Sequence, residues 1–186
     1  PASVALNSKL IFTCFIDSFP ADSFPQNNYD TLEVIVRGSY DPNEKTVEPT
    51  VASGILPTAT KDFTYTINFQ KTGTDTAFKV VIKDSLDAAL DLETFQVTGS
   101  SHAYGYTLDE GVVNFTFSNI LLPDSHVNEP GSHGFIQYTI QPKSNPIQGT
   151  QIKNTAYIYF DFNYPIVTNT TLSVLQDIQP SGMKTI

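Results

Sequence analysis

Apolar and polar positions alternate through most of this chain, most clearly from Gln151 to Pro165, QIKNTAYIYFDFNYP. With a period of two, Ile152, Asn154, Ala156, Ile158 and Phe160 share one face, and Lys153, Thr155, Tyr157, Tyr159 and Asp161 share the other. Gln148-Gly149 precedes the run and Asn163-Tyr164-Pro165 stops it, so the pattern predicts a long, aromatic, β-branched strand. Asn154 breaks the apolar face. A buried amide without partners costs about 1–3 kcal/mol, so the pattern raises the question of what meets it.

Shorter runs precede this strand at the spacing of a sandwich. Residues 9–16 and 29–37 read as two strands joined by a Pro-, Ser- and Asn-rich loop, and GSYDPNE at 38–44 reads as a boundary. Beyond it, strands are expected at 45–49, with Lys45 and Val47 in phase, and at 62–70, with Phe63, Tyr65, Ile67 and Phe69 together. Residues 77–84 place Phe78, Val80, Ile82 and Asp84 on one face. Leu86, Leu90 and Leu92 fit one helical turn before a strand at 95–98. Strands at 112–119 and 135–141 come next, the second aligning Ile136, Tyr138 and Ile140, and residues 166–175 add another after the long strand. No helical period is sustained, so the expected fold class is an all-β sandwich. The expected domains are a hairpin over 1–38, a sandwich over 39–172 and a polar tail or linker over 173–186. A lone hairpin is marginal in water, so residues 1–38 either pack on the sandwich or end a preceding module.

Length and charge narrow the function classes. A chain of 186 residues holds one sizeable domain, or one plus a fragment. A net charge of −9 without a Lys/Arg cluster excludes nucleic acid as a partner and argues against anionic membranes. Cys14 is the sole cysteine, so no internal disulfide forms. No apolar run reaches membrane-span length and Pro1 does not open a signal peptide, so the chain reads as an excised or mature piece of something longer. Neither a nucleophile elbow nor a Gly-rich phosphate loop occurs, so the expectation is a protein that is not an enzyme.

Strand phase turns Lys45, Asp84 and Asn154 inward. A lysine, a carboxylic acid and an asparagine meeting in a core are the parts of an intramolecular isopeptide bond. Burial favours the neutral amine and the neutral acid, which respectively attack and polarise the Asn carboxamide. The plainer reading has a hydrogen-bonded Asn154, an Asp84 capping the turn into Ser85-Leu86, and a surface Lys45. Lys61 is a rival amine, in phase with Phe63 and Tyr65 but at a strand edge. Separately, Asp41, Asn43 and Glu44 in one turn, with Asp161 and Asn163 after the long strand, offer hard oxygens for Ca²⁺, although Asp and Asn are frequent in turns for conformational reasons alone. His102, His126 and His133 lack zinc-ligand spacing. Asn114 and Asn169 open glycosylation sequons, one of them in mid-strand.

The blocks GSYDPNEKTV (38–47), YTINFQKTGTDTAFKVVI (65–82), DSLD (84–87), GSSH (99–102) and IKNTAYIYFDFNYPIVTNTT (152–171) resemble conserved-repeat, immunoglobulin-like modules of Bacteroidota secreted and surface proteins. The resemblance implies an immunoglobulin-like antiparallel sandwich serving as a structural or adhesive module, often ahead of a type nine secretion sorting domain. It also implies an extracellular or cell-surface location and neighbouring domains of the same polypeptide as partners. Residues 1–38 look like the final hairpin of an adhesion-type sandwich. The order Lys, Asp, Asn is similar to that of self-cross-linking modules in Gram-positive adhesins and pili. Two alternatives stand beside this reading. One is a glycan-binding accessory module of an exported hydrolase, presenting Tyr104, Tyr106, Tyr157 and Tyr159. The other is an assembly subunit whose hairpin adds a strand to a copy of itself.

Overall fold

The structure is a computed structural model that describes residues 9–15, 28–35, 42–51 and 53–177. The chain divides into two compact units, Pro1–Asp41 and Pro42–Ile186. In the first, β1 (Lys9–Phe15) and β2 (Tyr29–Ile35) pair antiparallel with Phe12 opposite Leu32 and Phe15 opposite Tyr29. Lys9 and Glu33 form an exposed ion pair at 2.7 Å.

The second unit is an immunoglobulin-like β-sandwich, antiparallel throughout except for one parallel pair. Its smaller sheet runs β3 (Lys45–Glu48), β5 (Phe63–Gln70), β10 (His133–Pro142), β7 (Leu90–Ser100). Its larger sheet runs β4 (Ile55–Pro57), β13 (Thr171–Gln176), β11 (Thr150–Phe160), β6 (Ala77–Ser85), β9 (Val112–Leu122), β8 (Gly105–Asp109), with β12 (Ile166–Val167) also paired to β11. The alternating positions do what their period dictates. Phe63, Tyr65, Ile67 and Phe69 from β5 and Ile136, Tyr138 and Ile140 from β10 meet Val80, Ile82, Phe115, Phe117, Ile152 and Ile158 across the interface. Gly134 on β10 is required by close approach, because a Cβ there would lie 2.2 Å from the Phe69 ring. The β8–β9 hairpin turns through Glu110 and Gly111, at φ of 47° and 80°, the paired left-handed residues that a two-residue turn needs.

Four expectations are corrected. Phe78 does not join the inner face. A register shift between Ala77 and Lys79 in the β6–β9 ladder turns it outward, 59% exposed, while Ala77, Val80, Ile82 and Asp84 are buried. The helical turn through Leu86, Leu90 and Leu92 is absent: Asp87 accepts the Ala89 N–H and the chain enters β7, whose backbone is satisfied by β10. Residues 166–175 form two pieces rather than one strand, β12 and β13. The sandwich also continues past residue 172. Ser173 and Leu175 are buried, and β13, which bridges β11 to β4, runs to Gln176.

Candidate functional site

Four side chains from four strands meet at the sheet–sheet interface, two from each sheet. β3 carries Lys45, and its backbone is held by Asn169, whose Oδ1 accepts the Lys45 N–H at 2.9 Å and whose Nδ2 donates to the Lys45 carbonyl at 2.8 Å. β6 carries Asp84 and β11 carries Asn154. Asp84 pairs with Ala156 across the ladder, so Asn154 is its diagonal neighbour on the same inner face. The β11 backbone at Asn154 is fixed by Thr171, which pairs with it and donates its hydroxyl to the Asn154 carbonyl at 3.3 Å. β10 carries Tyr138 from the opposite sheet. All four are sealed from solvent, with exposures of 1% for Lys45, 0% for Asp84 and Tyr138, and 2% for Asn154.

The Tyr138 hydroxyl joins the other three. It accepts from Lys45 Nζ at 3.1 Å and from Asn154 Nδ2 at 2.9 Å, and it donates to Asp84 Oδ2 at 2.7 Å. Lys45 Nζ also pairs with Asp84 Oδ2. The Tyr65 ring lies under the ammonium, its centroid 4.9 Å from Nζ, and stacks on Tyr138 at 5.3 Å. Phe95 and Phe115 close the other sides of the Tyr138 ring, at 4.9 and 6.0 Å. Two acceptors in this buried cluster have no donor: Asp84 Oδ1 and Asn154 Oδ1. Burial brings the Lys45 ammonium down to about 8, against the opposing pull of Asp84. Burial, reinforced by the Asp84 carboxylate, pushes the Tyr138 hydroxyl well above its usual range, so it remains a donor.

The plainer reading of these residues is corrected on two counts. Lys45 is in the core, not on the surface, and the turn after β6 is capped by Asp87, which accepts from Ala89 and Lys153 N–H groups. The rival amine, Lys61, is exposed. Strand phase places Tyr138 inward but assigns it no role. The signal for one is a phenol among aliphatic residues, since a buried Tyr hydroxyl needs partners.

The structure places the residues of the other candidate sites as follows. Asp41 lies outside the described residues. Asn43 accepts the Gln70 N–H, Glu44 accepts from Asn68, and Asp161, at φ of 54°, accepts the Phe78 and Lys79 N–H groups where β6 begins. Asn163 is exposed in the following turn, where its N–H donates to the Phe160 carbonyl. The side-chain oxygens of Asn43 and Asp161 hold backbone N–H groups and that of Glu44 holds a side-chain amide, and no group of three or more His, Cys, Asp or Glu residues among those described is placed to hold a metal. The four tyrosines do not share a platform. Tyr106 lies opposite Phe115 on the inner face of the larger sheet and Tyr104 packs on Phe117, whereas Tyr157, opposite Lys83, and Tyr159, beneath the Lys83 ammonium, line the outer face. His133 pairs with Glu129, His126 with Asp124 and His102 with Ser101. Of the two sequon asparagines, Asn169 uses its amide to hold Lys45, and Asn114 lies within β9.

Residues 41–174 match the model of the family described as Domain of unknown function (DUF7619). No curated protein matches the chain. Among solved structures, the N-terminal domain of a Streptococcus gordonii adhesin aligns over 79% of this chain and 36% of its own, with 17% identity and a TM-score of 0.55. The major pilin subunit of Bacillus cereus aligns over 81% of this chain and 46% of its own, with 15% identity and a TM-score of 0.48. The collagen-binding domain from a Staphylococcus aureus adhesin aligns over 75% of this chain and 100% of its own, with 16% identity and a TM-score of 0.43. At these identities the likeness is one of fold.

Proposed function

The chain belongs to the DUF7619 family, and we propose that this member is a non-enzymatic structural module of a larger secreted or cell-surface protein, braced by an amide cross-link between Lys45 and Asn154. One observation carries the cross-link. Asp84 Oδ1 and Asn154 Oδ1, on diagonal neighbours that share the Tyr138 hydroxyl, both lack a donor, and a proton on the carboxyl, shared between the two oxygens, would satisfy both. Lys45 Nζ, in contact with Oδ2 of that carboxylate, is the source of the proton, and a half-turn of the carboxyl group presents it at the Oδ1 position. Its transfer converts a buried ion pair into a neutral amine and a neutral acid, which removes two desolvated charges. The amine lone pair then attacks Asn154 Cγ, while the Asp84 proton passes to Asn154 Oδ1 as negative charge develops there. Collapse expels ammonia and leaves the Lys45–Asn154 amide, with Asp84 neutral and hydrogen-bonded to the new carbonyl.

Broader features support the setting. An acidic chain without a basic cluster suits an extracellular place, and no helix among the described residues is long and apolar enough to cross a membrane. The sequence resemblance to exported Bacteroidota modules supports a position among other domains of one polypeptide, with those domains as its partners. The fold shared with the Streptococcus gordonii adhesin domain is compatible with that setting.

A brace between β3 and β11 has a mechanical signature. Pulled by its ends, the module transmits force across the new amide, and the chain between Lys45 and Asn154 stays folded back. Single-molecule force spectroscopy is expected to show a contour length short by that whole segment, about 3.5 Å per residue, and full extension in Asn154→Ala. Equal extension of both chains overturns the bracing role.

A further inference from the structure

The departing nitrogen poses a problem that the lysine, the acid and the amide do not solve among themselves. Ammonia leaves only if Asn154 Nδ2 gains a proton, and among the described residues the partner that the structure gives Nδ2 is the Tyr138 hydroxyl, at 2.9 Å. That hydroxyl in turn donates to Asp84 Oδ2 at 2.7 Å. Resting on the cross-link reading above, we propose that Tyr138 is a catalytic residue, carrying a proton from Asp84 to the leaving nitrogen of Asn154.

The direction of the relay follows from the chemistry of the amide. In the resting carboxamide the nitrogen lone pair is delocalised, so Nδ2 can only donate, and it donates to the Tyr138 oxygen. When Lys45 Nζ bonds to Cγ, the carbon becomes tetrahedral, the delocalisation is lost and Nδ2 becomes an ordinary basic amine. The same contact then runs in reverse. Lys45 Nζ, now carrying the new C–N bond and a positive charge, returns a proton to Asp84 Oδ2, which it already touches. Tyr138 gives its hydroxyl proton to Nδ2 and takes that proton from Asp84. As the Cγ–Nδ2 bond breaks, its electrons stay with nitrogen as ammonia. The hydroxyl on Cγ re-forms the carbonyl by releasing its proton to Asp84 Oδ1. Five exchangeable protons enter, three on Lys45 and two on Asn154, and five leave: one on the new amide, three on ammonia and one on Asp84. Tyr138 ends as it began. Its ring, held between Tyr65, Phe95 and Phe115, is fixed for a transfer over hydrogen-bond distances.

The test follows ammonia loss in time. The full chain is synthesised in a cell-free system, quenched into denaturant at intervals and weighed intact. Tyr138→Phe, which keeps the ring, is expected to lose ammonia ~10²–10⁴-fold more slowly than wild type, the range typical of positioned acids and bases. Tyr157→Phe, which removes a phenol on the outer face of the larger sheet, opposite Lys83 and away from the four buried side chains, is expected to keep the wild-type rate. Tyr138→Phe reacting at the wild-type rate overturns the relay and leaves the cross-link standing, as does an equal slowing in Tyr157→Phe. A wild type that never loses ammonia overturns both. If circular dichroism shows Tyr138→Phe unfolded, a ring-fluorinated tyrosine at 138 keeps the shape and makes the phenol more acidic. A changed rate then supports the relay and an unchanged rate overturns it.

Discussion

Removing Lys45 alone would strand the Asp84 carboxylate in an apolar box, a loss of about 3–5 kcal/mol in comparable buried pairs. On the cross-link reading, Lys45, Asp84, Asn154 and Tyr138 would act as a set and share their protons. The ion pair and the neutral pair of Lys45 and Asp84 hold the same single proton, so the reactive form is reached without exchange with solvent. Raising the pH past about 8 removes that proton altogether, leaving a free amine with no acid to assist Asn154. The rate of ammonia loss in the newly folded chain is thus expected to be level below that point and to fall as pH rises through it, as read by quenched intact mass. A rate that climbs through the same range would mean that solvent deprotonation, not internal transfer, makes the nucleophile. Lys45, Asp84 and Asn154 are legible in the sequence because a polar residue in phase with apolar neighbours stands out against a period of two. Tyr138 is not, because an aromatic residue in phase reads as core. Its hydroxyl meets the others only through the placing of β10 opposite β6 and β11, which no local pattern encodes.

At the scale of elements, the strands with clean alternation are readable and the irregular ones are not. β5, β10 and β11 keep their phase from end to end, so Phe63, Ile136 and Ile158 fall where the period places them. Phe78 departs from its expected face because a register shift is a property of two strands, β6 and β9, and leaves no mark in one. β4 and β8 escape a reading of the sequence because a three-residue edge and a five-residue, largely exposed hairpin arm carry too little apolar signal. The expected boundary at 172/173 cuts through β13, yet that strand completes the larger sheet and buries Leu175 fully. Chains trimmed at each end separate the boundaries. A chain of residues 42–177 is expected to melt at the temperature of the full chain, whereas one ending at 172 is expected to lose at least the ~2–5 kcal/mol of a deleted core leucine, read by chemical denaturation. Equal stability of both would place β13 outside the folding unit, and a large loss from 42–177 would make the hairpin of β1 and β2 integral to it.

For the whole molecule the cross-link would join the two sheets, tying β3 at the edge of one to β11 inside the other. Closing a loop on the order of 100 residues stabilises a fold by ~4–5 kcal/mol in the chain-entropy account of disulfides, and here it would do so in a chain whose single cysteine can form no internal disulfide. The brace would also relieve its own site, since the two orphaned oxygens, Asp84 Oδ1 and Asn154 Oδ1, would come to share one proton. Everything at this scale turns on whether the bond forms. Intact mass of the folded chain decides it: wild type is expected to weigh one ammonia less than its sequence, and Lys45→Ala, Asp84→Ala and Asn154→Ala are each expected at full mass. A wild type at full sequence mass would contradict the account, leaving Asn154 a structural amide beside a buried ion pair.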